Sequence, residues 1–206
     1  VEHNGKYYYY MGNCQFGCNI YGYVSDNPIG PWTPINNGEP VIPVGTGKEH
    51  LPALDAQFFT DDDGTLYSHF GTWCTSFGGV GWAKIDTTDM ATITESGLIP
   101  IAQVPRAFEA SYMLKRNGKY ILMYSSDDCK IHTYAVHYAW ADSPIGPFHY
   151  GANNPILSTN ADKSVDGPGH HSMLQMGDDY YMVYHRHDNP HSTGGMFRQT
   201  CVDKMV

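Results

Sequence analysis

The sequence predicts an all-β protein of the β-propeller type. Two observations carry this prediction: a hairpin segment that recurs four times at similar spacing, and a proline-rich element that recurs between hairpins. The composition agrees, since 14% of the 206 residues are aromatic, 16% are charged, and 22 glycines and 13 prolines are available for turns. Such a mixture is typical of many short strands joined by tight turns.

The hairpin segments share a turn followed by an aromatic strand. They read NGKYYYYMG from Asn4, DDDGTLYSHFG from Asp61, RNGKYILMYS from Arg116 and GDDYYMVYH from Gly177. Asn-Gly and Asp-Gly favour the turns with positive φ that close tight hairpins. Their turn positions, Gly5, Gly64, Gly118 and Asp178, lie 59, 54 and 60 residues apart. We therefore expect one hairpin of this kind in each structural repeat.

The second recurring element occurs twice, as SDNPIGPWTPINNGEPVI (Ser25 to Ile42) and ADSPIGPFHYGANNPIL (Ala141 to Leu157). Two hairpins in each period make a four-stranded sheet, which is the blade of a propeller. No segment favours a helix: the best candidate, Ile85 to Glu95, is rich in threonine and lacks an apolar stripe at helical spacing. Without a linker or a break in composition, we expect residues 1–206 to form a single domain.

Polar residues precede three of the hairpins at one offset. Asp55 and Glu109 lie nine residues before Gly64 and Gly118, and His170 follows the position nine before Asp178. Inner strands of a propeller converge on its axis, so we expect these three side chains to face one cavity. In the first repeat the same offset falls ahead of Val1.

Two carboxylates across a sugar-sized cavity are the minimum for glycoside hydrolysis, in which one acid protonates the leaving oxygen and a base activates water. Glu109 has apolar neighbours on both sides along the chain, Phe108, Ala110, Tyr112 and Met113. An apolar surrounding favours the protonated carboxyl that a general acid needs. Without the shared offset, Asp55 would be interpreted as a turn cap.

Several motifs, in order and over nearly the whole chain, resemble the catalytic domain of glycoside hydrolase family 43. They are ALDAQFFTDDDGTLY, FEASYMLKRNGKYILMYS, SPIGPF and GPGHHSMLQMGDDYYMVYHRH. This family comprises five-bladed propellers that include arabinofuranosidases, xylosidases and arabinanases. The resemblance implies a five-bladed propeller of which this chain covers roughly four blades.

The resemblance also implies an inverting enzyme with three acids. Glu109 matches the general acid, and Asp55 matches the aspartate that orients this acid and tunes its pKa. His170 matches a histidine that helps to hold a calcium ion or water on the axis, and Arg198 matches an arginine near the sugar. Trp73 is a candidate sugar platform, although packing between blades explains the tryptophans equally well.

The implied general base is an Asp in the part of the family pattern that precedes Val1. Five blades also need more chain than 206 residues. We therefore expect a catalytic domain that is incomplete at both ends and a fragment that is inactive alone.

The implied substrates are α-L-arabinofuranosyl or β-D-xylosyl residues of plant cell-wall polysaccharide or oligosaccharides. No cofactor is required, apart from a structural calcium on the axis. The alternatives are a non-catalytic carbohydrate-binding propeller and a protein-interaction scaffold. A formal charge of −9 argues against nucleic acid or an anionic membrane as partner. The polymeric substrate leads us to expect a secreted or periplasmic protein.

The remaining candidates are expected to be structural. Cys14 and Cys18 are near enough for a local disulfide, but the odd count of five cysteines favours isolated thiols. The DDDG stretch at Asp61 to Gly64 favours a solvated turn over a calcium loop. Histidines are frequent in the last third, yet no carboxylate or cysteine completes a recognisable ligand set, so no zinc site is predicted; they are His170, His171, His185, His187 and His191.

Overall fold

Four antiparallel sheets follow one another along the chain, each made of consecutive strands. The computed structural model describes residues 1–14, 18–188 and 195–205, which leaves His191 outside the described residues. The first sheet contains β1 (Glu2–His3), β2 (Lys6–Asn13), β3 (Asn19–Ser25) and β4 (Thr33–Pro34). The second contains β5 (Leu54–Thr60), β6 (Leu66–Gly71), β7 (Gly79–Ile85) and β8 (Ile93–Pro100). The third contains β9 (Ala107–Arg116), β10 (Lys119–Ser126), β11 (Ala135–Ala141) and β12 (His149–Tyr150), and the fourth contains β13 (Gly169–Met176), β14 (Asp179–His187) and β15 (Arg198–Lys204).

The sheets are blades of a propeller, which confirms the predicted fold class. Strand β9 packs against β5 and β6 of the preceding blade and against β13 of the following one, so the first strands of the blades are the inner ones. Neighbouring blades bury apolar side chains between them. Ile20 and Phe70 lie between the first and second blades, Trp82 and Leu122 between the second and third, and Met123 and Tyr184 between the third and fourth.

The turns close where the sequence places them. His3 pairs with Lys6 across Asn4-Gly5, and Gly5, Gly118 and Gly177 all have positive φ, as tight hairpin turns require. The loop that contains Asp61 carries more than a solvated turn. Asp61 accepts hydrogen bonds from the Lys115 ammonium at 2.6 Å and the Tyr120 hydroxyl at 2.5 Å, which joins the second blade to the third.

The proline-rich repeat forms the outer edge of the first and third blades. Both copies contain a cis Gly-Pro bond, Gly30-Pro31 and Gly146-Pro147, followed by the two-residue strands β4 and β12. Each copy then returns to its own blade through a single bridge, Ile42 with Ile20 and Leu157 with Val136. The sequence repeat is therefore a structural repeat.

No α-helix occurs in the described part of the chain, and one 3₁₀ turn spans Asn36–Gly38. The threonine-rich segment expected to resist helix formation becomes the end of β7, a turn and the start of β8. Among the described residues no helix is long and apolar enough to span a membrane.

The expectation of isolated thiols at Cys14 and Cys18 is wrong, because the structure joins them in a disulfide. The reason is the hairpin: β2 and β3 pair as far as Asn13 with Asn19, so the two cysteines stand at the base of one short loop. Counting cysteines along the chain does not reveal this proximity. Cys74, Cys129 and Cys201 are free thiols.

Buried histidines give the fold a pH dependence. Burial lowers the pKa of four of them, to about 4 for His69, His137 and His185 and about 3 for His171. In the unfolded chain histidine takes up a proton near pH 6.5. Between about pH 6.5 and 4 the unfolded state therefore binds more protons, and the free energy of unfolding falls as the pH falls.

His69 is the best test of this linkage. Its Nε2 donates to the Pro144 carbonyl at 2.7 Å, and its Nδ1 is buried without a partner. In a His69→Leu variant the free energy of unfolding should depend less steeply on pH, by up to about 1.4 kcal/mol per pH unit, because one proton is no longer taken up. Urea unfolding at several pH values between 4.5 and 7 measures this slope. His149→Leu, on the exposed strand β12, is the control; equal slopes in wild type and His69→Leu would contradict the assignment.

Candidate active site

Each inner strand of the last three blades carries a β-bulge. Two residues of the inner strand face one aromatic residue of the next strand: Asp55 and Ala56 face Phe70, Ala110 and Ser111 face Tyr124, and His170 and His171 face Tyr184. The first residue of each bulge has a left-handed backbone, with φ of 50°, 54° and 49°. Bulges of this kind bend the strand and redirect its side chains, and they are frequent beside active sites.

The register differs from the one that the sequence offset predicts. The loop between Thr60 and Leu66 is longer than the two-residue turn between Arg116 and Lys119. As a result, Asp55 is structurally equivalent to Ala110 and His170, whereas Glu109 stands one position before its bulge. The shared offset of nine residues therefore reflects unequal turn lengths rather than one common strand position.

The structure nevertheless brings the three predicted side chains together. Asp55, Glu109 and His170 each offer an atom within 4.8 Å of the other two. Nδ1 of His170 lies 3.9 Å from Oδ2 of Asp55, and the His170 backbone N–H donates to the Ser125 hydroxyl at 2.9 Å. We call this cluster of Asp55, Glu109 and His170 the axial cluster.

Glu109 is held from two sides. Its exposed fraction is 7%. Oε1 accepts a hydrogen bond from the Tyr134 hydroxyl at 2.6 Å, and Oε2 accepts one from the Trp73 indole N–H at 3.1 Å. Gly71 permits this packing, because a Cβ there would lie 2.5 Å from the Glu109 Cα. The orientation of the Glu109 carboxyl is therefore fixed by neighbours in two blades.

Tyr134 is the principal site residue that the sequence does not reveal. It lies just before β11, outside all recurring segments, so no repeat or motif marks it. Burial and the nearby Glu109 carboxylate raise its pKa, so its hydroxyl stays protonated and donates. Its ring stacks on His185 with centroids 5.5 Å apart, and a Cβ at Gly169 would lie 2.1 Å from that ring.

Asp55 lies in an environment that favours its neutral form. Burial raises the pKa of its carboxyl, and the Glu109 carboxylate raises it further, while His170 acts in the opposite direction. The net direction is upward. Asp55 is thus poised to hold a proton, or to respond strongly to the charge of Glu109 beside it.

The predicted sugar-binding residues differ in how directly they approach this cluster. Trp73 bonds to Glu109 and is 45% exposed, which leaves part of its ring open to a ligand. Arg198 is the first residue of β15, where it pairs with His187 of β14. It is therefore two strands away from the inner strand β13 that carries His170. Burial is the main cause that lowers the pKa of His185, and the positive charge of Arg198 is the second. Trp82 is buried between the second and third blades.

Comparison with known proteins places these features in a family. The model for glycosyl hydrolases family 43 matches residues 1–206. A β-D-galactofuranosidase of Aspergillus niger is 38% identical over an alignment of 183 positions, which covers 86% of this chain and 49% of that protein. An arabinoxylan arabinofuranohydrolase of Paenibacillus polymyxa is 28% identical over 90% of this chain and 31% of its own length.

Solved structures agree with the sequence matches. A thermostable family-43 glycoside hydrolase superposes with a TM-score of 0.81 at 28% identity, over all of this chain and 70% of that one. An α-L-arabinofuranosidase from Clostridium thermocellum superposes with a TM-score of 0.78 at 28% identity, over all of this chain and 67% of that one. The chain spans about half the length of the A. niger relative. Its fold, its inner-strand acids and the match over residues 1–206 together show that the chain belongs to glycoside hydrolase family 43.

Proposed function

We propose that this chain is part of an inverting glycosidase that releases α-L-arabinofuranosyl or β-D-xylosyl residues from plant cell-wall polysaccharide or oligosaccharides. Glu109 is the proposed general acid, and Asp55 orients it and tunes its protonation. The single observation that carries the proposal is the axial cluster: a buried carboxyl (Glu109), a half-buried carboxyl (Asp55) and an imidazole, with one atom of each within 4.8 Å of the others, beside an exposed indole.

The spacing of the carboxyls supports these roles. In inverting enzymes the acid and the base lie about 6.5–9.5 Å apart, because a water must fit between the base and the sugar. Asp55 and Glu109 have carboxylate oxygens within 4.8 Å of each other. This separation is too short for the acid and the base of an inverting enzyme. A nucleophile of a retaining enzyme must be ionised, whereas burial raises the pKa of Asp55. Asp55 is therefore better suited to control the protonation of Glu109 than to deprotonate water as a base or to attack the sugar as a nucleophile.

The general base is proposed to be an aspartate on the inner strand of the first blade. Strands β5, β9 and β13 all carry their bulge well before the hairpin turn. An aspartate at the corresponding bulge of the first blade would face the same axis.

The sugar is proposed from the site and from the relatives. Trp73 offers an apolar ring face beside Glu109, as sugar rings favour. Relatives named for arabinofuranose and for galactofuranose both act on five-membered rings. Galactofuranose differs from arabinofuranose by one additional CHOH unit in the side chain of the ring. A β-D-galactofuranosyl substrate is accordingly the second candidate, favoured by the 38% identity to the A. niger enzyme.

The axial cluster could hold a calcium ion only if water supplied most of the ligands. Calcium takes six to eight oxygen ligands. The axial cluster offers two carboxyls, both of which the proposed chemistry uses, and one imidazole, which calcium does not prefer. We therefore propose that His170 holds any axial calcium through water, where the ion would add positive charge near Asp55. A relative solved in a calcium-free form names this ion, which supports the proposal.

A location outside the cytoplasm is proposed from the substrate class. An endo-arabinanase of Bacillus subtilis, 28% identical over 87% of this chain, is named as extracellular.

The first prediction for the proposed activity concerns proton donation by Glu109. In the complete protein, Glu109→Gln should lower kcat about 10²–10⁴-fold on 4-nitrophenyl α-L-arabinofuranoside, because the leaving oxygen is no longer protonated. The loss should shrink on a 2,4-dinitrophenyl glycoside, whose leaving group needs little protonation. Steady-state kinetics on arabinofuranoside, xyloside and galactofuranoside series measure both effects and rank the sugars.

Glu39→Gln, an exposed acid after the 3₁₀ turn, is the matched control and should retain full activity. Full activity in Glu109→Gln would remove Glu109 as the acid. NMR of the first-formed anomer tests the stereochemistry, and a retained configuration would contradict inversion.

The second prediction concerns Tyr134 as a positioning residue. Tyr134→Phe removes one donor to Glu109, so kcat should fall at least about tenfold while KM changes little. Tm should fall by several degrees, because a hydrogen bond to a charged group contributes about 1.5–3 kcal/mol to stability. Tyr112→Phe removes a comparable bond between blades, from Tyr112 to the Met173 carbonyl at 3.1 Å, and should not affect kcat. Equal effects of the two variants on kcat would contradict a specific role.

The third prediction concerns the stability that the folded protein loses when Asp55 is ionised. Because its pKa is raised by burial, ionising it above that pKa destabilises the folded state. Asp55→Asn should therefore raise Tm at pH 7 and abolish most activity, with about 2–4 °C expected for each kcal/mol gained. At pH 3.5, below the ordinary Asp pKa of about 3.9, Asp55 is mostly protonated in both the folded and the unfolded chain, so the gain in Tm should be much smaller. Differential scanning calorimetry at pH 7 and pH 3.5 measures this, and a lower Tm at pH 7 would refute it.

A further inference from the structure

A second cluster of ligand-type side chains lies away from the axial cluster. His132 comes from the loop between β10 and β11, Asp166 from the segment before β13, and His187 from the end of β14. Each offers an atom within 4.8 Å of the other two. We call these three residues the loop cluster. The sequence does not predict it, because Asp166 supplies the carboxylate from a segment remote from both histidines.

The hydrogen bonding of His187 determines which of its nitrogens is free. Its Nε2 lies 2.9 Å from the carbonyl oxygen of Cys129, and a carbonyl only accepts, so Nε2 carries the proton. In a neutral imidazole the lone pair then lies on Nδ1. That atom faces Oδ2 of Asp166 at 3.5 Å, and the His187 side chain is buried. A lone pair directed at a carboxylate oxygen is unfavourable unless a cation lies between them.

The distances indicate which cation fits. A proton shared between imidazole and carboxylate gives a separation of about 2.7–2.9 Å. Two ligands on one tetrahedral metal, each about 2.0–2.1 Å from the ion, lie about 3.4 Å apart. The observed 3.5 Å between His187 and Asp166 matches the metal spacing.

Asp166 and His132 complete the ligand set. Asp166 supplies the carboxylate of the set, and its side chain is 10% exposed. Nδ1 of His132 lies 2.6 Å from Oδ1 of Asp166, and its side chain is 60% exposed. An exposed ring can turn by the small amount needed to make room for an ion.

We propose that His132, Asp166 and His187 bind a divalent transition-metal ion of the zinc class. Two imidazoles and one carboxylate suit zinc, cobalt, nickel or copper better than calcium or magnesium, which prefer oxygen. Water fills the fourth position on the exposed side of His132. The carbonyl of Cys129 serves as the outer partner that fixes the ring of a metal-bound histidine.

The position of the loop cluster gives the ion a structural role. His132 precedes Tyr134 by two residues, and Asp166 precedes His170 by four. An ion here ties the segment that carries the Glu109 donor to the segment that begins β13. A metal ion that binds only the folded state raises the free energy of unfolding by RT ln(1 + [M]/Kd).

The experiment uses the complete protein, without an affinity tag and stripped with a chelator, titrated with Co²⁺ alone. Binding should produce visible d–d absorption at a stoichiometry of one, and Zn²⁺ should displace it and raise Tm. His132→Gln should weaken Co²⁺ binding at least about tenfold, since even loss of a partner outside the ligand shell costs 10–100-fold. Because His132 is exposed, this variant is expected to fold, and a cooperative thermal transition without metal checks this.

Two control variants separate the loop cluster from other histidines. His149→Gln on exposed β12 and His170→Gln in the axial cluster should both keep the cobalt absorption. No absorption up to 1 mM Co²⁺, or unchanged binding in His132→Gln, would overturn the proposal. The test does not depend on glycosidase activity, so its failure leaves the proposed function untouched.

Discussion

The constraint on which the site depends is the bulge repeated on the inner strands. Asp55, Ala110 and His170 adopt a left-handed backbone that costs roughly 1–2 kcal/mol for a residue with a Cβ. Opposite each bulge stands an aromatic residue, Phe70, Tyr124 or Tyr184, and all three are buried in the apolar clusters between blades. The strain at the axis is thus offset by packing further out. A regular strand would direct alternate side chains into the blade interfaces, and the two carboxyls would not share one space.

Turn chemistry explains why so much of the fold is predictable from the sequence. Asn-Gly and Gly-Asp turns, the two PIGP copies and the aromatic strands recur because each blade must solve the same local problem. The loop after β5 shows the limit of this reasoning. Its extra residues displace Asp55 by one position relative to Glu109, a shift that a count along the sequence hides and only strand pairing reveals. The sequence does not reveal the disulfide between Cys14 and Cys18 for a related reason, since the pairing of Asn13 with Asn19 brings the two cysteines together.

Residues that contribute through single long-range contacts leave no such signal. Tyr134 reaches Glu109 across 25 positions, and Asp166 meets His132 across 34. Neither belongs to a recurring segment, because loops between blades differ from one repeat to the next. Such contacts are set by how neighbouring blades pack, which depends on small details such as the missing Cβ of Gly169. Composition and periodicity carry no information about them.

The acid is consequently positioned by a loop as much as by a sheet. Glu109 itself lies on a rigid inner strand, but its closest donor, Tyr134, ends a loop that is fixed by side chains. Asp127 in that loop accepts hydrogen bonds from Arg106 and from Thr133, and His132 bonds to Asp166. Asp127, His132 and Thr133 lie seven, two and one residues before Tyr134, so these bonds restrain the loop that leads to it. Loops of this kind change more readily than strands. The geometry of Glu109, the proposed general acid, can therefore be adjusted through loop residues, while the bulged strands that carry Asp55 and Glu109 stay the same.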